Sequence, residues 1–585
     1  MKKYIFSGIA AAFALAFLPA CNQDLLNIPQ KGVVAYEDFY QTDADAESAL
    51  VTAYASMISV YNSSGSNSPA YNAFFNAPGD ELYWGGGKKE DNIVAQEINE
   101  FRTTMGSTNT YITTMYKQLY KMIYKCNLVI DNFWGENGEL ADTPVKKRCV
   151  AEARVLRAWA HLQAACYWGT PPKVEHVLAG DARPTNCDHK ELMDWIVKDL
   201  AEVADQLPAR GGKSDKNGAV KVTQGFANAL LGKAMVLNGQ YAEAKAPLKK
   251  VIDSGNYDLV PGSEMRDLFH KAGDGNMEKV FELNYADHDN YGSNSRWYFQ
   301  KNQSLFFRQM KGYPDLLIQQ TGWGNNINLT KKFVDAIMAN EEGSYRQKAW
   351  VVSYDEFLTG MPYSKLDKKA DGSQMTREEK LMDSKRGLDL NKYDDLYASY
   401  GYFFFKYLPY QADLVTNSSR NTDQNQVIMR YAEVLLLYAE ACAQTGDAAG
   451  LEALNKVASR AGAPTYSTLT MDNVKKEKWF EMCWEGTRFI DLVRWGDAAK
   501  ELAFRCNELT PYLDDEFYVD GTNGKQTTGL PHKAIIRYKD DGWAAKGGGF
   551  KTGKHELYPF PFDVIELNPY NAETGEGLKQ NPGWE

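Results

Sequence analysis

Two stretches of this chain repeat one design. "VTQGFANALLGKAMVLNGQYAEAKAPLKKVIDSGNYDL" starts at Val222, and "RYAEVLLLYAEACAQTGDAAGLEALNKVASRAG" starts at Arg430. In the first, Gly232 falls where one helix needs a small residue to admit its neighbour. Gly239 and Tyr241 make the turn, Ala244 opens the second helix, and Leu248 and Val251 continue its core face. In the second, Ala439 takes the small position and Gly446 the turn, while Leu451, Leu454 and Val457 line the second helix. A single helix–turn–helix cannot bury its own apolar face, so such units must stack. The two copies lie far apart in the chain and must meet in space across whatever separates them.

The spacings match the tetratricopeptide repeat, a unit of about 34 residues. "ADAESALVTAYASMISVY", "TNTYITTMYKQLYKMIYKCNLVIDNF" and "VKKRCVAEARVLRAWAHLQAACYWG" also bring apolar residues every three or four positions, so the first half is helical in pattern. Residues 35–261 are expected to hold the amino-terminal repeats. Residues 262–425 are rich in Gly, Asn, Asp and aromatics and read as a loop-rich insertion. Within it, 355–392 is a charged, solvent-facing excursion, and "YGYFFFKYLPY" at Tyr400–Tyr410 reads as a buried strand. Residues 426–505 return to helix, and 506–585 form a tail of loops and short strands. There "KAIIRYKDDGW" is hairpin-like and "HELYPFPFDVIELNP" extended around its prolines. The expected fold is mainly α, one body from residue 21 to 585 with a helical scaffold and an irregular face.

The amino terminus opens with Lys2 and Lys3, then an apolar run to about Phe17. A charged start, a short apolar core and a small-residue exit describe a secretory signal, here residues 1–20. The run is shorter than the roughly 20 apolar residues a membrane span needs. "LPAC" at Leu18–Cys21 resembles a lipobox, which makes Cys21 the expected lipid attachment point. Several acyl chains hold a protein on a membrane where one does not.

A net charge of -11 argues against nucleic acid, whose binders carry basic patches. Thirteen Trp, 35 Tyr and 26 Phe suit a protein that stacks on flat ligands. Cys126, Cys149, Cys166, Cys187, Cys442, Cys483 and Cys506 form no CxxC pair and read as small buried hydrophobes. Seven scattered His offer no cluster at metal-ligand spacing, so neither metal nor cofactor is expected.

The densest motif is "EKWFEMCWEGTRFIDLVRWGD", Glu477 to Asp497. On one helix, Glu481, Glu485 and Arg488 would share a face, and Asp491 and Arg494 would extend a charged stripe. Two carboxylates suggest acid–base hydrolysis of glycosides. That reading is poor: neighbouring arginines hold carboxylates ionised, whereas a general acid needs a raised pKa. A buried ion-pair network that fixes the helix is the better expectation, and no enzyme activity is expected.

"RYAEVLLLYAEA", "WEGTRFIDLVRWG", "LYPFPFDVIELNP" with "QNPGW", "AEARVLRAWAHLQAACYWGTPP" and the lipobox run in an order that resembles the SusD/RagB family across nearly the whole chain. The resemblance implies a SusD-like fold of tetratricopeptide-type repeats with a loop-rich ligand face. It also implies a lipoprotein on the exterior of the outer membrane in Bacteroidetes. Such a protein pairs with a SusC-like TonB-dependent transporter and helps capture oligosaccharides, or peptides in some branches.

Sugars present apolar C–H faces between hydroxyl rims, so their sites pair flat aromatics with amides or carboxylates. Three stretches offer that mix. "NAPGDELYWGGG" carries Asp80, Tyr83 and Trp84; "NYGSNSRWYFQKN" carries Arg296, Trp297 and Tyr298; "GYPDLLIQQTGWGNN" carries Tyr313, Trp323 and Asn325. Trp84 and Trp323 lead because glycines flank them. Comparable family loops supply ligand residues, but only by loose analogy. The expected function is glycan capture and delivery. A peptide-binding member of the family and a repeat scaffold that only assembles other proteins remain the alternatives.

Overall fold

The structure is a computed structural model. It describes residues 39–63, 70–84, 92–135, 137–285, 296–297, 327–353, 369–374, 402–407, 410–413, 421–503, 509–513, 536–540 and 549–585. Cys21, Tyr298, Tyr313, Trp323, Asn325 and Cys506 lie outside these residues, as does the signal segment.

Helix α1 (Asp43–Asn62) starts at Thr42, whose side chain and that of Asp45 close a reciprocal capping box. A short α2 (Ala70–Asn76) and α3 (Ile93–Asn99) lead to two long antiparallel helices, α4 (Thr110–Trp134) and α5 (Pro144–Trp168). Asn109 caps α4; Thr143 caps α5, with Pro144 at the first helical position, where its missing N–H costs nothing. Helix α6 (His189–Val203) packs on α5, and α8 (Gln224–Leu237) packs on α6 after a one-turn α7 (Lys216–Ala219).

The two sequence repeats are helix pairs. In the first, α8 packs on α9 (Tyr241–Asp253), with Gly239 at φ 74° in the turn. A Cβ on Gly232 would lie 2.4 Å from Cγ of Leu248, so only glycine lets the two helices approach this closely. In the second, α12 (Tyr431–Gln444) packs on α13 (Gly450–Ala461), with Gly446 at φ 69°. Their meeting in space is direct: α9 packs against α12. Burying Leu248 and Leu454 completely contributes about 1.5–3 kcal/mol each.

Between the repeats lie α10 (Lys331–Glu341) and α11 (Tyr345–Trp350), capped by Thr330 and Ser344. The loop-like composition of 262–425 did not announce these helices. The described strands form five antiparallel pairs: β1 (Leu82–Trp84) with β4 (Ile327–Leu329), β2 (Lys279–Leu283) with β8 (Gln426–Arg430), β3 (Arg296–Trp297) with β7 (Asn421–Thr422), β5 (Val351–Ser353) with β6 (Tyr402–Phe404), and β9 (Leu509–Leu513) with β10 (Ile536–Asp540). In the aromatic run, Phe404, Phe405, Tyr407 and Tyr410 are buried as its apolar continuity suggests. The strand within "KAIIRYKDDGW" pairs with the distant β9 instead of closing a local hairpin.

Two further expectations need correction. The motif helix is broken: α14 (Met471–Glu481) ends at Glu481, and α15 (Arg488–Arg494) starts anew at Arg488, with a one-turn α16 (Ala498–Glu501) after it. The intervening turn holds Trp484 at φ 61° and Gly486 at φ 73°. Glu485 and Arg488 therefore face different partners instead of sharing a stripe. At the tail, "FDVIEL" forms α17 (Phe562–Leu567), because Pro561 supplies an extended start and the prolines lie outside the helix.

Candidate ligand-binding face

Loop 77–81 leads into β1, and buried polar contacts hold it from three sides. Asn99 donates from Nδ2 to the carbonyls of Ala77 (2.7 Å) and Leu82 (3.3 Å). Thr330, the cap of α10, donates from Oγ1 to the Asp80 carbonyl at 2.7 Å and from its N–H to the Glu81 carbonyl at 3.0 Å. The turn after α14 closes the third side: the Gly486 N–H donates to Asn76 Oδ1 at 2.9 Å, and the Trp484 N–H to Glu81 Oε2 at 3.1 Å.

Asp80 was expected at the ligand; instead it anchors the loop from below. Its side chain is fully buried, gripped by Arg488 through Nε (2.7 Å) and Nη2 (3.0 Å), and by Lys332 Nζ at 2.6 Å. Burial alone would raise the carboxyl, but the Arg488 and Lys332 charges hold it well below the usual carboxylate range. Its neighbour Glu81 goes the other way. Burial outweighs the help of Arg488, the Asp80 charge opposes ionisation, and the carboxyl is pushed up to about 8.

This anchored loop delivers Tyr83 and Trp84 onto a strand, not the open loop their glycine neighbours suggested. Tyr83 pairs with Asn328 and Trp84 with Ile327. In sequence, Ile327 follows Asn325 by two residues and Trp323 by four, so β4 begins just after the stretch that carries them. The third is held elsewhere: Arg296 and Trp297 pair with Thr422 and Asn421 in a separate sheet.

Behind the face lies a charged hub built from the dense motif. Glu481 accepts from Arg430 Nη1 (2.5 Å), Arg346 Nη1 (2.9 Å) and Arg460. Glu485 accepts from Arg430 Nε and Nη2, both at 2.7 Å, and from Lys406 at 2.6 Å. Asp491 receives Lys478 (2.8 Å) and Arg494 (2.7 Å), and Arg494 also grips Glu440 at 2.5 and 2.7 Å. These groups come from α11, the residues after β6, β8, α12, α13, α14, the turn after it and α15, so the hub ties the second repeat to the insertion. Arg346, Arg430 and Lys406 are the partners that motif reading missed. Arg346 and Lys406 are isolated charges in the loop-rich stretch and Arg430 precedes the first apolar turn of its repeat, so none gives a periodic signal; only a buried, multiply paired acid would have called for them.

Among the described residues no group of three or more His, Cys, Asp or Glu is placed to hold a metal ion. The described cysteines are free, and all but the partly buried Cys166 are buried. No helix among the described residues is long and apolar enough to cross a membrane.

The chain belongs to the SusD family, whose model matches residues 240–584; a second model, described as "Starch-binding associating with outer membrane", matches residues 37–233. The family consists of non-catalytic binding proteins, and the description of the second model associates its members with the outer membrane. A SusD-like protein from Formosa agariphila, P25, is 22% identical over 534 residues, covering 83% of this chain and 89% of its own. One from Bacteroides ovatus is 22% identical over 512 residues, covering 83% and 82%. Among solved structures, a laminarin binding SusD-like protein superimposes with a TM-score of 0.64 at 21% identity, covering 93% of this chain and 100% of its own. Surface glycan-binding protein A from Bacteroides thetaiotaomicron, in complex with laminarihexaose, gives 0.64 at 21% identity, covering 92% and 100%. A SusD superfamily protein from Bacteroides vulgatus gives 0.66 at 20%, covering 93% and 100%. These likenesses fix the fold as SusD-like.

Proposed function

We propose that this chain is a cell-surface lipoprotein, anchored through Cys21, that captures oligosaccharides and delivers them to a SusC-like TonB-dependent transporter. The observation that carries the reading is the pairing of Trp84 with Ile327, on a strand whose root is clamped by Asp80, Arg488 and Lys332. A rigid root lets an aromatic platform meet a sugar face without the entropic cost of ordering a free loop. In this reading Trp84 and Trp323 stack on the glycan, and Tyr83, Tyr313 and Asn325 orient its hydroxyls. Arg296, Trp297 and Tyr298 contact further sugar units in this reading. The segment after Cys21 serves as tether and hinge while the body closes over the transporter. Affinity gels of the mature protein with soluble polysaccharides, β-1,3-glucans included, test it. A retarded band that Trp84→Ala and Trp323→Ala release supports the reading; peptide binding without any polysaccharide shift overturns it.

A further inference from the structure

Glu81 closes loop 77–81 and stands directly before the strand that carries Trp84. It is 3% exposed, and its two carboxyl oxygens are treated unequally. Oε2 accepts the Trp484 N–H at 3.1 Å, whereas Oε1 is buried with no partner. A buried carboxylate that stays ionised gathers charged donors, as Asp80 does next door from Arg488 and Lys332. Glu81 is met by one neutral amide.

The turn that offers this amide is itself held firmly. Trp484 adopts φ 61°, which a bulky side chain keeps only where its surroundings impose it. Lys406 Nζ donates to the carbonyls of Cys483 (2.8 Å) and Glu481 (3.2 Å) and to the Glu485 carboxylate (2.6 Å). Arg430 Nη2 donates to the same Glu481 carbonyl at 2.6 Å. The bond from Trp484 to Glu81 therefore ties the root of β1 to a fixed point.

The titratable groups around Glu81 leave it no counter-charge. Asp80, on the same loop, is ionised. Arg488 of α15 spends Nε and Nη2 on Asp80, Lys332 of α10 bridges Asp80 and Glu501, and Lys406 is taken up by the turn. Cys483 is buried and its thiol is pushed up to about 12. Ionising Glu81 sets a second carboxylate beside Asp80 in a dry site, and burial accordingly pushes its carboxyl up to about 8. Water drawn in to solvate that charge parts β1 from the turn.

We propose that Glu81 is a positioning residue for the ligand face: as a neutral acid it latches the Trp84 strand to the Trp484 turn, and on ionising it releases the strand, so that glycan affinity follows pH. The effect on affinity rests on the glycan-capture reading above; the latch does not.

Amide hydrogen exchange and affinity gels with laminarin, on the mature chain and on Glu81→Gln, test the two parts. Corrected for intrinsic rates, exchange at residues 82–84 and 484–486 should quicken from about pH 7 to about pH 9 in the wild type. It should stay level in Glu81→Gln, which keeps the acceptor without the charge. Laminarin affinity of the wild type should fall about tenfold per pH unit above about 8, as the latched fraction falls by that factor, and stay level in the variant. Glu81→Leu, which lacks the acceptor, should exchange fast and bind weakly at every pH. Exchange that quickens alike in the wild type and Glu81→Gln overturns the latch. Laminarin affinity that stays constant while exchange quickens overturns the positioning role. Laminarin that is never retarded counts against the capture reading, and exchange then decides the latch alone.

Discussion

Arg488 holds Asp80 in a bidentate grip across 408 positions of sequence, and both side chains are buried. The pair joins the root of β1 to the first turn of α15, so the aromatic strand is fastened to the carboxyl-terminal half. Breaking one partner of a buried pair strands the other charge and costs about 3–5 kcal/mol. Arg488→Met should lose that much in urea denaturation, because Lys332 alone cannot satisfy Asp80. Arg488→Met with Asp80→Asn should lose less than the sum of the singles. A single-variant loss below about 1 kcal/mol, the worth of an exposed pair, would contradict the burial.

Glu81 should make stability fall as pH rises. Its carboxyl is raised from 4.5 to about 8 by burial, so the native chain holds a proton that the unfolded chain gives up earlier. The stabilisation is complete below pH 4.5 and lost as pH climbs through about 8. One proton corresponds to a slope of about 1.4 kcal/mol per pH unit. Asp274, pushed up to about 7 by burial and Glu282, adds to the same window. Glu81→Gln isolates the Glu81 share: the stability gap between variant and wild type should shift steadily in the variant's favour from pH 5 to 8. A gap that stays constant would refute the assignment.

Glu481 works in the opposite sense. Burial opposes its charge, but Arg460, Arg430 and Arg346 together hold the carboxyl well below its usual 4.5. Its contribution is present above pH 4.5 and drains away as acid protonates it. Glu481→Gln leaves three buried guanidinium groups short of an anion, a loss of about 3–5 kcal/mol at neutral pH. The variant's stability should then fall less steeply on acidification than that of the wild type, as followed by circular dichroism during acid titration.

The scaffold was more legible in the sequence than the site. Gly232, Gly239 and Leu248, or Ala439, Gly446 and Leu454, are local signals: helical period, close approach and turn all lie within one unit. The loop that leads into the Trp84 strand is different. Its shape depends on Arg488, Lys332, Thr330 and Asn99, which reach it from other elements, so Asp80 looked like a surface acid and proved to be a buried anchor. The break between Glu481 and Arg488 was hidden for the same reason. The pattern reads as one helix, and only the demands of Arg430 on Glu485 and of Asp80 on Arg488 divide it. The helix starting after Pro561 was missed because proline marks both an extended run and a helix start.

The close approach at Gly232 gives the repeat scaffold its own test. A methyl group there would meet the Leu248 side chain at 2.4 Å, inside any normal contact. Leu248 is fully buried between its neighbours and has little room to retreat. Gly232→Ala should therefore cost about 1–3 kcal/mol by overpacking, despite the better helix propensity of alanine. Leu248→Ala alone should cost about 2–5 kcal/mol by opening a cavity. Combined, the two should lose less than their sum, because the new methyl takes part of the space the leucine leaves. Thermal denaturation of the four proteins measures the coupling. Additive losses would mean that α8 and α9 slide apart instead of colliding, and that the glycine is there for some reason other than close packing.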